Sequence, residues 1–114
     1  MRIWLDDVRA APDGWYWLKT AEEAIAHFNI DAWFGDRHKD CVRAITDISL
    51  DHDLGENKKT GYDVVKFIEQ MVVEKGYLPP NMTIHSQNPV GRENMQRAID
   101  AIMVRTKSPR QTAK

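Results

Sequence analysis

From Val42 onward the chain alternates strand, helix, strand, helix, and this order constrains the fold more than any other feature. The run "VRAITDISL" (42–50) is rich in β-branched and apolar residues and reads as a strand. After the polar loop "DHDLGENKK", Thr60 and Asp63 mark a helix start. Val64, Val65, Ile68, Met71 and Val72 then recur at i, i+1, i+4, i+7 and i+8, the stripe of an amphipathic helix. Gly76 and Pro79-Pro80 end it. "MTIHS" (82–86) reads as another strand, and Asn88-Pro89 supplies a helix cap and first turn. Met95, Ala98, Ile99 and Ile102 form the core stripe of a further helix. Such alternation argues for an α/β domain with a parallel sheet and right-handed crossovers.

The first third of the chain is less regular. "RIWL" (2–5) is a short strand stopped by Asp6-Asp7, and "RAAPDG" carries turn residues. "WYWLK" (15–19) reads as a second strand, in which Trp15 and Trp17 alternate so that at least one packs in the core. About eight residues join these strands, fewer than a crossover helix needs. An extended segment of that length still spans a strand, at roughly 3.3 Å per residue. A parallel pair and a hairpin therefore both remain open. Thr20 and Glu23 match the capping box, and Ala24, Ile25 and Phe28 follow at helical spacing. Residues 29–41, "NIDAWFGDRHKDC", carry no clear period. His27 and His38 are expected on the surface.

A chain of 114 residues fits one domain, here taken as residues 1–104. Residues 105–114 hold four basic and no acidic residues and are expected to form a flexible basic tail. The net charge of −1 gives no general attraction to nucleic acid or acidic membrane, and sequence-specific DNA binding is not expected. Cys41 is the single cysteine, which excludes an intrachain disulfide and fits a reducing, cytoplasmic setting. No run approaches the ~20 apolar residues of a membrane span.

Ligands of open parallel sheets bind beyond the carboxyl ends of the strands. Three segments carry polar or ionisable residues at that point: "WLDDVR" (Asp6, Asp7, Arg9), "LDHDLG" (Asp51, His52, Asp53) and "IHSQNPVGR" (His85, Ser86, Asn88, Arg92). If their strands are parallel neighbours, four carboxylates and two imidazoles converge. Close carboxylates repel unless some protonate or a cation neutralises them. An oxygen-rich set suits Mg²⁺ or Mn²⁺, and imidazole tilts the preference toward Mn²⁺, Fe²⁺ or Zn²⁺. The third segment suits a phosphate instead, through a helix N-terminus, Ser86 and Arg92. Metal beside phosphate is the arrangement that phosphoryl transfer requires.

Taken in order, "WLDDVR", "TAEEAI", "SLDHDLG", "TGYDV" and "HSQNPVGRENM" resemble the cyclic-phosphate processing receiver-like domain, a relative of two-component receivers, over roughly residues 1–103. The resemblance implies a small three-layer flavodoxin-like fold with about three helices and a short, mainly parallel sheet of order 2-1-3-4. It matches Asp6-Asp7 to the receivers' acidic pair, Asp51 to their phosphate-accepting aspartate and Ser86 to their hydroxyl. The receivers' lysine after a fifth strand has no counterpart, which argues against ordinary phospho-signalling. Residues 29–41 look longer than the family's usual link. Trp33 and Phe34 are expected there to cover the site or to make a contact between subunits of a homo-oligomer.

The resulting expectation is a metal-dependent phosphohydrolase acting on a cyclic phosphate of a nucleotide or RNA end. Asp6, Asp7, Asp51 and Asp53 are expected to hold the metal, and His52, His85 and Asp51 to carry the chemistry. Arg9, Ser86, Asn88 and Arg92 are expected to grip the phosphate. The alternatives are a module that binds a nucleotide messenger without turnover, and a regulator phosphorylated on Asp51.

Overall fold

A computed structural model describes residues 1–34 and 44–111, with the side chains of residues 34 and 107–111 left aside. The elements are β1 (Arg2–Leu5), β2 (Tyr16–Leu18), α1 (Ala21–Phe34), β3 (Asp47–Leu50), α2 (Gly61–Lys75), β4 (Asn81–Ile84) and α3 (Pro89–Gln111). The four strands form one sheet in the order β2-β1-β3-β4, and every neighbouring pair is parallel. The open question about the second strand is thereby settled. Residues 6–15 run back along the sheet without a helix and turn at Pro12–Trp15, where the Trp15 N–H donates to the Pro12 carbonyl at 3.1 Å. Gly14 makes that turn with φ of +85°, a backbone region costly for other residues.

Strand alternation assigns the two faces of the sheet. Ile3, Leu5, Leu18, Ile48 and Leu50 are buried on one face under the three helices. α1 packs on α2, and α2 on α3, so the helices lie side by side over that face. Ala21, Ala24 and Phe28 of α1, Val64, Val65 and Ile68 of α2, and Met95, Ile99 and Ile102 of α3 complete one core. The opposite face carries Trp4, Trp17 and Ser49. It is flanked by the β1–β2 connection, whose Trp15 packs edge-on against Trp4. The third layer expected of a receiver-like domain is here a stretch of chain rather than a helix.

Several boundaries differ from the sequence reading. α1 continues to Phe34 because Asp31 occupies the next core-facing turn, buried against the Tyr77 hydroxyl at 2.6 Å and the Ile45 N–H at 3.4 Å. A carboxylate in that row hides the helical period. β3 begins at Asp47 rather than Val42, and residues 35–43 (His38 and Cys41 among them) lie outside the described residues. α3 runs to Gln111, so residues 105–111 are helical where a tail was expected. Thr106 extends the core stripe by one turn, buried, with its hydroxyl donating to the Ile102 carbonyl at 3.0 Å. Neither Trp15 nor Trp17 is fully buried, and Leu18 fills the core instead.

Trp33 does not cover the strand ends where the ionisable segments lie. It sits at the carboxyl end of α1, exposed, with the Lys75 ammonium 4.8 Å from its ring centroid. That is the end of the domain where helices finish and the next strands begin. Among the described residues no helix is long and apolar enough to cross a membrane.

Candidate functional site

Sheet register brings the three polar segments together. Leu5, Leu50 and Ile84 stand in one row across β1, β3 and β4. The next residue of each strand donates its N–H to the row behind: Asp6 to Leu18 at 3.0 Å, Asp51 to Leu5 at 3.0 Å and His85 to Leu50 at 2.9 Å. Asp6, Asp51 and His85 are therefore aligned at the carboxyl edge. Parallel pairing makes this inevitable once each strand ends one residue before its polar group.

One oxygen each from Asp6, Asp7 and Asp51 lies within 4.8 Å of the others. Asp6 is fully buried and accepts four donors. Its Oδ1 takes the N–H groups of Val8 (2.9 Å) and Arg9 (2.8 Å), and its Oδ2 takes His85 Nε2 (3.0 Å) and Arg9 Nε (3.2 Å). Burial alone pushes its pKa up, but the Arg9 and Val8 N–H groups, His85 and the Arg9 charge outweigh that and hold it below the usual value. Asp51 behaves oppositely. Burial first, and then the Asp6 charge, raise its pKa despite the His52 N–H at 2.9 Å and the Ser86 hydroxyl. Asp51 is thus a carboxylate whose charge is opposed first by burial and then by Asp6.

These residues open onto a cleft of about 630 Å³ lined by Asp6, Asp7, Arg9, Asp51, Asp53, Ser86 and Asn88, with Val8, Gly55, Glu56 and Gln87 completing the wall. Asn88 organises its far side. The Asn88 carboxamide oxygen accepts the Gly91 N–H at 3.0 Å, capping α3, and its amide nitrogen donates to Asp53 Oδ2 at 3.1 Å. The Ser86 hydroxyl accepts the Asn88 N–H at 3.1 Å. Asp53 lies outside the close carboxylate trio. Hydrogen bonds from His52 and Asn88 hold its pKa below the usual value.

Three residues singled out in the sequence do not line this cleft. The His52 ring packs on Gly91, where an added β-carbon would lie 2.4 Å from its Cγ, and its Nδ1 meets Asp53 Oδ1 at 3.0 Å. His85 turns back over the helix-free face of the sheet, stacked on Trp4 with centroids 3.8 Å apart and planes 6° apart. Arg92 borders a separate, smaller groove with Glu93, Gln96, Arg97 and Asp100.

Sequence reasoning passed over Ser49, Trp4 and Gly61. The Ser49 hydroxyl lies 2.8 Å from His85 Nδ1. The available signal was a polar residue alternating with Ile48 and Leu50 inside a buried strand. Gly61 opens α2 so close to the loop before it that a β-carbon would stand 2.0 Å from the Asp51 carbonyl oxygen.

No curated protein and no solved structure matches this chain. One family model, described as the cyclic-phosphate processing receiver domain, matches residues 1–101. The aligned carboxylates, the parallel 2-1-3-4 sheet and that match together identify the chain as a member of the cyclic-phosphate processing receiver domain family.

Proposed function

We propose that this receiver-like domain is a divalent-metal-dependent phosphohydrolase that opens a cyclic phosphate of a nucleotide or RNA end. The observation carrying this reading is the trio of Asp6, Asp7 and Asp51, whose oxygens lie within 4.8 Å of one another, with burial and then the Asp6 charge raising the Asp51 pKa. Hard oxygen donors at this spacing fit Mg²⁺ or Mn²⁺, and the trio contains no imidazole to favour Zn²⁺ or Fe²⁺. Among the described residues Asp7 receives no hydrogen bond or ion pair, which leaves its oxygens free for a cation. A bound divalent ion would polarise the phosphate and lower the pKa of water beside it.

The chain's own groups supply the rest. Arg9 is half exposed on Asp6 and can leave Oδ2 for a phosphate oxygen without moving the backbone. Ser86 and the Asn88 amide stand on the facing wall of the cleft, at the start of α3, where partial positive charge favours an anion. Asp53 holds the Asn88 amide in place. The acid–base role expected of His52 and His85 is not retained, because neither ring lines the cleft.

That same observation favours a second reading, in which the domain binds a nucleotide messenger without turnover. The test is hydrolysis of cyclic mononucleotides, cyclic dinucleotides and 2′,3′-cyclic RNA ends, with and without Mn²⁺. The enzyme reading expects product that disappears with chelator and with Asp51→Asn. Activity indifferent to both overturns the metal mechanism. Intact ligand recovered from the denatured complex assigns the binding role.

A further inference from the structure

The proposed chemistry makes no use of the Ser49–His85 pair, which lies on the helix-free face of the sheet. His85 lies just beyond β4, yet its ring reaches across β3 to β1. One face of the ring lies flat on Trp4 at 3.8 Å, Nδ1 meets Ser49 Oγ at 2.8 Å, and Nε2 meets Asp6 Oδ2 at 3.0 Å. The side chains are 14% exposed for His85 and 1% for Asp6, and Ser49 is 6% exposed as a residue. Three neighbouring strands thus each contribute to a single contact line.

The hydrogens on this line follow from chemistry. An ionised carboxylate only accepts, so Nε2 carries the proton shared with Asp6. In the neutral ring Nδ1 then only accepts, and the Ser49 hydroxyl must donate to it. A half-turn of the ring about its outer torsion would place carbons where both nitrogens now sit, losing both bonds in a nearly dry site. Ser49 therefore selects one ring orientation, and Trp4 holds its plane.

We infer that His85 is a positioning residue and that Ser49 is its anchor: the Ser49–His85 line fixes the Asp6 carboxylate so that the trio keeps one geometry for an incoming cation. The inference rests on the reading of Asp6 as a metal ligand. Partners of ligating carboxylates act in this way elsewhere, and their loss commonly costs about 10–100-fold in metal affinity. His85 itself transfers no proton.

The experiment uses the full chain and two readouts. Long-range ¹H–¹⁵N spectra at neutral pH, with His85 assigned by comparison with His85→Gln, report which ring nitrogen bears hydrogen. A protonated Nε2 and a bare Nδ1 are expected, and an Nδ1–H ring or one averaging between forms overturns the inference. Mn²⁺ titration is the second readout. Ser49→Ala is expected to weaken Mn²⁺ binding at least about tenfold. Ser49→Thr should restore it, and Thr83→Ala, which removes a hydroxyl beside Ser49 that bonds the Ile48 carbonyl and not the ring, should change nothing. Equal affinity in wild type and Ser49→Ala overturns the positioning role. If wild type binds no Mn²⁺, the metal reading of the cleft fails. The inference, which rests on that reading, is then overturned as well, even with the expected ring spectrum.

Discussion

Gly61 leaves no room for a side chain against Asp51: a β-carbon there would lie 2.0 Å from the Asp51 carbonyl oxygen and 3.1 Å from its carbonyl carbon. The obstacle is backbone, and the Gly61 N–H also donates to the His52 carbonyl at 2.9 Å. The first turn of α2 is therefore pressed directly onto the loop that carries the central carboxylate.

Gly61→Ala is accordingly expected to destabilise the domain by about 2–3 kcal/mol and to displace Asp51. Gly91→Ala meets only the His52 ring, at 2.4 Å, and a side chain can rotate away. Gly91 is buried and the ring must shift, so the cost should be about 1 kcal/mol, less than that of a backbone clash. Urea denaturation of the two variants checks the order. Equal losses would contradict this account of the α2 start.

Asp51→Asn removes a charge that burial and Asp6 both oppose, while an amide can still accept the His52 N–H. The metal-free variant is expected to be more stable than wild type by about 0.5–2 kcal/mol. Wild type should gain stability on adding Mg²⁺ or Mn²⁺, by about 2.7 kcal/mol at a hundredfold excess over Kd, and the variant should not. Melting curves with chelator and with cation measure both effects.

The opposed shifts of Asp51 and Asp6 separate two limbs in acid. Asp51 titrates in the folded state above its ordinary value of 3.8, so the folded state holds the extra proton between those points. Its contribution to stability should then rise as pH falls through that window. Asp6 and Asp53 titrate below 3.8, and their contribution should be lost as pH falls further. The difference between wild type and Asp51→Asn, followed by melting temperature against pH in chelator, isolates the first limb. A difference that does not change with pH would contradict it.

Asn88→Ala removes the α3 cap and releases Asp53. A loss of about 1 kcal/mol is expected from the cap alone. Asn88→Ser should recover most of that stability, since serine also caps, without restoring the amide bond to Asp53. Comparing stability with phosphate-ester binding in the two variants separates capping from ligand contact.

The periodic helices were legible because their core rows are apolar, and the meeting of the three segments followed from strands ending just before polar residues. Asp31 and Thr106 were not legible as helix, since each is a polar residue in a core row and is recognised only by its partner, Tyr77 or the Ile102 carbonyl. The direction of β2 was equally hidden, because ten intervening residues satisfy a hairpin or a return crossing alike. For the site, the sequence supplied the residue types at the carboxyl edge but not their aim. His52, His85 and Arg92 follow their strands as the others do, yet Gly91, Trp4 and the groove along α3 draw them away from the cleft.

Trp33 lies beside Lys75, where α1 and α2 finish, while every carboxylate of the cleft stands where strands finish. The carboxyl end of α1 therefore belongs to the opposite pole of the domain. Lengthening a connection costs only about 0.6 kcal/mol for each doubling. The domain can therefore lose or gain residues at that pole, and acquire new neighbours there, while the spacing of Asp6, Asp7 and Asp51 stays as it is. The length of the strands separates the two poles, which leaves one free to diverge while the other keeps its chemistry.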